Sequence, residues 1–157
     1  MNKNSFKTVL PNETATLNLG KKIAILSKNK KTINIGLSGD LGTGKTTLCR
    51  GFLQALGYQD KIKSPSYSLV ESYYLSSCIV YHFDFYRISR SEEIEFLGLR
   101  DFFSINAFYL VEWPDKSYGM FPYPDINLWL DYHKKEEYRI AEITAYSKIG
   151  INLLSLM

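Results

Sequence analysis

The stretch Thr32-Ile33-Asn34-Ile35-Gly36-Leu37-Ser38, followed at once by Gly39-Asp40-Leu41-Gly42-Thr43-Gly44-Lys45-Thr46, decides the fold. The first seven residues alternate β-branched or apolar side chains with small or polar ones, the pattern of a strand. The next eight match G-x-x-x-x-G-K-[ST]. Beyond them Leu48, Phe52, Ala55 and Leu56 recur at helical spacing, and Gly57 supplies the residue that follows a helix end. Strand, glycine-rich loop and helix thus follow one another without a gap.

Each fixed letter of the loop has a physical reason. Glycines permit the backbone angles and close approach that let successive N–H groups surround a phosphate. A helix beginning at Lys45 points its positive end at the same anion. Lys45 reaches β and γ phosphates, and the Thr46 hydroxyl can hold Mg²⁺. With glycine near 7% of residues, chance produces this pattern in such a chain about once in two hundred. The expected ligand is a nucleotide polyphosphate with Mg²⁺, and Asp40, Leu41, Gly42, Thr43, Gly44, Lys45, Thr46 and Thr47 form its phosphate cradle. The expected fold is α/β and P-loop NTPase-like: a mainly parallel central sheet, an antiparallel hairpin or edge, and flanking helices.

Such a loop needs an acidic partner for the metal, normally at the end of a buried strand. Glu112 ends the apolar run Phe108-Tyr109-Leu110-Val111, and Asp84 ends Ile79-Val80-Tyr81-His82-Phe83. Either carboxylate could bind Mg²⁺ while the other orients the attacking water. The competing reading makes both ordinary solvated groups at strand ends. His82 and His133 lie far apart without a neighbouring ligand cluster, so histidine is not expected to bind metal. Cys49, on the helix after the loop, reads as packing. Lys61, Lys63, Lys134 and Lys135 read as solvated charged turns, and the aromatics from Tyr67 to Phe85 read as sheet packing.

The remaining chain supplies further strands and helices around this unit. Phe6 to Leu10 alternates as a strand, and Asn12 caps a helix from Glu13 to about Lys28, weakened at Gly20. Tyr67 to Leu75 and Cys78 to Phe83 read as a hairpin, and Ser91 as the cap of a short helix. Ala107 to Val111 reads as a strand buried on both faces. Asp125 to Tyr132 and Tyr138 to Thr144 pair around the charged turn 133–137. The tail from Ser147 reads as an appendage.

The 157 residues suit one domain, 1–157, with a single core. The chain is 45% hydrophobic and 22% charged, which excludes a disordered chain. A formal charge of +3 is too small to carry nucleic-acid binding by bulk electrostatics. Cys49 and Cys78 make neither a disulfide framework nor a CxxC pair, in keeping with a reducing cytosol. Residues 1–10 lack the apolar core of a signal peptide, and no apolar run approaches a membrane span. The expected location is cytoplasmic.

Five segments occur in order: Gly39 to Thr47; Ser64-Pro65-Ser66-Tyr67-Ser68-Leu69-Val70-Glu71; His82-Phe83-Asp84-Phe85-Tyr86-Arg87; Glu92 to Asp101; and Val111-Glu112-Trp113-Pro114. Together they resemble the bacterial TsaE (YjeE) family over about Pro11 to Tyr132. The resemblance implies a small ATPase needed to form threonylcarbamoyladenosine in tRNA, beside the anticodon. It further implies that the chain binds a TsaD–TsaB transferase pair, supports its turnover by ATP hydrolysis, and meets tRNA only through that complex. By matching motif, Lys45 contacts phosphate, Thr46 and Glu112 serve Mg²⁺, Asp84 is the second functional carboxylate, and Trp113 lies beside the site. Ser64 to Ser68 corresponds to a switch-like loop, and Asn12 to a position that approaches the base. Two departures stand out. Ser66 and Ser68 replace the family's usual threonines. Glu136-Glu137, with Arg139 nearby, replaces a late Gly-Arg turn, and two carboxylates facing polyphosphate would repel it.

Two other readings stay open. A small-molecule or nucleoside kinase would use the same loop, with Arg87 and Arg100 on a lid. A passive nucleotide-binding adaptor would bind without turnover. No guanine-selecting N-K-x-D follows the loop, so GTP is not expected. No arginine finger is evident near the loop, so isolated turnover is expected to be slow.

Overall fold

Strands in this chain bury alternate side chains on two different faces, and that alternation builds two separate cores. The computed structural model describes residues 4–103 and 105–157. The reading of residues 1–3 as part of a polar N-terminus lies outside them. Among the described residues, seven strands form one sheet: β1 (Ser5–Leu10), β2 (Ile33–Ser38), β3 (Val70–Tyr74), β4 (Ile79–Asp84), β5 (Phe108–Glu112), β6 (Ile126–His133) and β7 (Tyr138–Ala145). Their spatial order is β1-β7-β6-β2-β5-β4-β3. The four central strands, β6, β2, β5 and β4, run parallel. Both margins are antiparallel, β3 on β4 at one side and β7 and β1 beyond β6 at the other.

On one face, Ile33, Ile35 and Leu37 of β2 meet Leu19 and Ile23 of α1 (Glu13–Ser27) and Leu48 and Phe52 of α2 (Lys45–Ala55). Each such side chain taken fully from water contributes roughly 1.5–3 kcal/mol. The helices touch closely enough that a Cβ on Gly20 would lie 2.1 Å from the Leu48 carbonyl oxygen. Gly20, a weak helix residue by propensity, is therefore the residue this contact requires. The opposite face is aromatic. Tyr81, Phe83 and Phe85 pack with Tyr109 and Phe121, and Phe83 meets Phe121 edge-on at 5.3 Å. Short helices α3 (Ser91–Glu95) and α4 (Leu99–Phe103) cover this side.

The structure corrects three local expectations. The segment 67–69 is a turn and β3 begins only at Val70, because Leu69 takes a left-handed φ of 67° that breaks the strand. Ser91 is the first helical residue of α3 rather than its cap. The Glu93 carboxylate does the capping, accepting from the backbone N–H of Ser89 (3.1 Å) and Arg90 (3.1 Å). The tail is not an appendage. Ser147 accepts from the Gly150 N–H (3.1 Å) and caps α5 (Lys148–Leu154), whose Leu153 and Leu154 are buried in the aliphatic core. The described residues thus pack around one sheet, with the tail against it.

Candidate nucleotide site

The site lies where β2, β4 and β5 end, at the carboxyl edge of the parallel strands, where open α/β sheets bind ligands. Backbone conformation shapes the loop: Gly44 has φ +104°, and the site of a Cβ there is 3.3 Å from Arg139 Nε. Thr43 Oγ1 donates to the Asp40 carbonyl at 2.9 Å and holds the turn closed. Lys45, buried in the floor, donates from Nζ to the carbonyls of Gly39 (2.7 Å) and Asp40 (2.7 Å). The same ammonium stands 4.5 Å from the Trp113 ring centroid. Burial lowers its pKa below the ordinary 10.5, while the nearby carboxylates of Glu112, Asp84 and Asp40 work the other way.

Asp84 and Glu112 lie directly opposite one another on adjacent strands, only 4% and 3% exposed. The solvated reading of these two carboxylates is thereby excluded. Glu112 Oε1 accepts from Thr46 Oγ1 at 2.9 Å and lies 2.8 Å from His82 Nε2. An ionised carboxylate only accepts, so His82 Nε2 carries the shared hydrogen; Nδ1, equally buried, has no partner. Asp84 accepts from the Ser64 hydroxyl through Oδ2 and from the Tyr86 N–H through Oδ1 (2.9 Å).

A cleft of about 400 Å³ opens over these groups. Of the residues expected from sequence, Leu41, Gly42, Gly44, Lys45, Thr46 and Thr47 line it, as do Asp84, Glu112 and Trp113. Asp40 and Thr43 shape the loop from behind. Asn12 does not line the cleft; its side chain accepts from the Ala15 N–H at 2.9 Å and is occupied as a helix cap. Thr46, Glu112 and Asp84 offer hydroxyl and carboxylate oxygens, the hard donor set that suits Mg²⁺.

Three sequence readings need correction here. His82 is not remote from other ligand-type groups: its ring nitrogen, Cys49 Sγ and Glu112 lie within 4.8 Å of one another, all buried. Burial raises the Cys49 thiol well above its ordinary pKa of 9.0, so it stays a neutral packing group, a poor metal ligand. Arginines are present at the cleft, since Arg139 and Arg87 both line it. Arg139 lies over the Tyr132 ring at 5.4 Å, and its Nε is buried without a hydrogen-bond partner. Finally, Glu136 and Glu137 are exposed and do not line the cleft, so the expected repulsion of polyphosphate has no geometric basis. Arg139 reaches the cleft because β7 pairs with β6, and β6 lies beside the strand that carries the loop. The sequence signal that could have found it was the arginine at the start of the last strand; the adjacent glutamates masked it.

Relatives place this arrangement. Residues 10–142 match the family model for Threonylcarbamoyl adenosine biosynthesis protein TsaE. A tRNA threonylcarbamoyladenosine biosynthesis protein TsaE from Haemophilus influenzae is 44% identical over 154 residues, covering 96% of this chain and 96% of that protein. The TsaE of Rickettsia bellii is 34% identical over 141 residues, covering 88% and 94%. The crystal structure of Bacillus subtilis YdiB shares the fold, with a TM-score of 0.80 at 24% identity over 97% of this chain and 93% of that one. No helix among the described residues is long and apolar enough to cross a membrane. With the family model running from the end of β1 into β7, and so through every residue of the cleft, the chain belongs to the TsaE family of tRNA threonylcarbamoyladenosine biosynthesis.

Proposed function

We propose that the chain is the Mg²⁺-dependent ATP-binding and hydrolysing subunit of this tRNA modification, supporting turnover of a TsaD–TsaB transferase pair in the cytoplasm. One observation carries the reading: Lys45, Thr46, Asp84 and Glu112, from one helix start and two strand ends, converge on one cleft. ATP fits with its β and γ phosphates at the start of α2. Lys45 then exchanges its two carbonyl acceptors for phosphate oxygens, and the backbone N–H groups of 42–46 face the same anion. Thr46 together with Glu112 or Asp84 would hold Mg²⁺, whose charge neutralises the phosphoryl oxygens. Glu112 is oriented by Thr46 and His82, and Asp84 by Ser64; the carboxylate not on the metal positions the attacking water. Arg139 adds a fixed positive charge on the side facing Gly44.

The kinase alternative gains nothing from Arg100, which borders a separate cavity beside α3. Phosphate release without an acceptor separates an ATPase from both a kinase and a passive adaptor. The decisive experiment follows threonylcarbamoyladenosine formation over many turnovers by TsaD–TsaB homologues and tRNA, with and without this chain. Sustained formation only with the chain is expected; equal formation without it overturns the proposal. Lys45→Ala removes charge-assisted contacts worth about 1.5–3 kcal/mol each, so ATP affinity measured by calorimetry should fall at least about tenfold.

A further inference from the structure

The geometry points to Arg87 as a catalytic residue of the ATPase reaction, held in reserve on the ring of Tyr67. This rests on the ATPase reading above. Arg87 follows Asp84 by three residues and lines the cleft together with Tyr86 and Ser66. Its guanidinium lies 4.0 Å from the centroid of Tyr67, a ring that is 84% exposed. Among the described residues, no carboxylate pairs with it. A cation at the mouth of a polyphosphate cleft, held only by an exposed aromatic face, is held weakly.

The ring belongs to a segment tied at both ends to Asp84. Ser64 donates to the Asp84 carboxylate, and the Asp84 N–H donates to the Leu69 carbonyl at 3.0 Å. Leu69 closes the segment by donating its own N–H to the Pro65 carbonyl at 2.7 Å. A change of partner at Asp84 Oδ2 releases Ser64, and with it the segment that displays Tyr67. Arg87 is then free to turn to the γ-phosphoryl group. In hydrolysis the water oxygen bonds to the γ-phosphorus while the bond to the β,γ-bridging oxygen breaks. Its electron pair leaves with ADP, and the water's proton passes to phosphate or solvent. Arg87 meets the charge that spreads over the γ-phosphoryl oxygens in that transition, whereas Arg139 stands on the opposite wall. An arginine in this role is worth about 10³ to 10⁵ in rate when engaged.

The test uses the full chain with Mg²⁺, and ADP with or without aluminium fluoride as the transition-state probe, read by calorimetry and by phosphate release. Arg87→Ala should leave ADP affinity within about twofold of wild type but weaken the ADP–aluminium fluoride complex at least about tenfold. Tyr67→Ala should raise partner-free hydrolysis about two- to fivefold, the population shift expected on losing an exposed cation–π contact. Tyr67→Phe, which keeps the ring, should not give that rise. The rise should vanish in the Tyr67→Ala/Arg87→Ala double variant. Equal effects of Arg87→Ala on both complexes overturn the inference, as does a Tyr67→Ala rise that survives loss of Arg87 or fails to occur. If wild type neither binds ADP nor releases phosphate, the ATPase reading itself falls; if wild type does both and the variants behave otherwise, only the role of Arg87 falls.

Discussion

Glu112 and Asp84 sit opposite each other on neighbouring strands, equally buried, yet they are held by different parts of the molecule. Glu112 is fixed from within. Its partners are Thr46 on α2 and the fully buried His82 on β4, both part of the packed sheet-and-helix body. Asp84 is fixed from outside, by the hydroxyl of Ser64 on a surface segment and the N–H of Tyr86. A carboxylate anchored by the core keeps one position; one anchored by a surface segment can exchange partners. The lesson is that burial alone does not make two site residues equivalent, because what they are bonded to sets which of them can switch.

The largest test of this contrast is at Glu112. Glu112→Gln should lower ATP hydrolysis at least about 100-fold while changing ATP affinity far less, as measured by phosphate release and calorimetry. Intact hydrolysis would remove Glu112 from the fixed wall. Next comes His82→Phe, which leaves the Glu112 carboxylate buried with one partner fewer. It should cost about 1–3 kcal/mol of stability, a fall in Tm of a few to about 10 °C in thermal unfolding. Ser64→Ala removes a comparable bond from Asp84, but water from the cleft that both residues line can replace the lost donor. Its stability loss should stay below about 1 kcal/mol by urea titration, and a loss matching that of His82→Phe would erase the difference between the two walls.

The smallest effect is a pH dependence through Lys45, which lies between the two acids. Its pKa in the folded chain is below 10.5 because it is buried. Between the folded value and 10.5 the unfolded chain binds the extra proton, so stability of the nucleotide-free protein should rise with pH across that window. Glu112 opposes the lowering more than Asp84 does, so Glu112→Gln should widen the window downward further than Asp84→Asn. Urea midpoints from pH 8 to pH 10.5 would show whether the order holds.

Much of this site was legible without coordinates because its signals are local. The glycine-rich loop is a run of consecutive residues, and each carboxylate ends a largely apolar strand. His82 and Arg139 show the limit. His82 reads as an isolated residue along the chain, and only the pairing of β4 with β5 brings it to Glu112. Arg139 reads as a strand residue beside an acidic turn, and only the order β7-β6-β2 carries it to the loop. The tail was misread for a related reason: a seven-residue helix has little intrinsic signal, and its stability comes from burying Leu153 and Leu154 against elements far away in sequence.

The sequence by itself determined the strand–loop–helix unit, the glycine-rich turn with its lysine and threonine, and the presence of two acidic strand ends, since these follow from spacing and local backbone preference. Tertiary structure alone decided which groups surround those acids, which arginines face the cleft, and that one acid is tied to the core and the other to a surface segment. Those outcomes depend on strand order and register, which bring together residues separated by tens of positions, and no local periodicity encodes that.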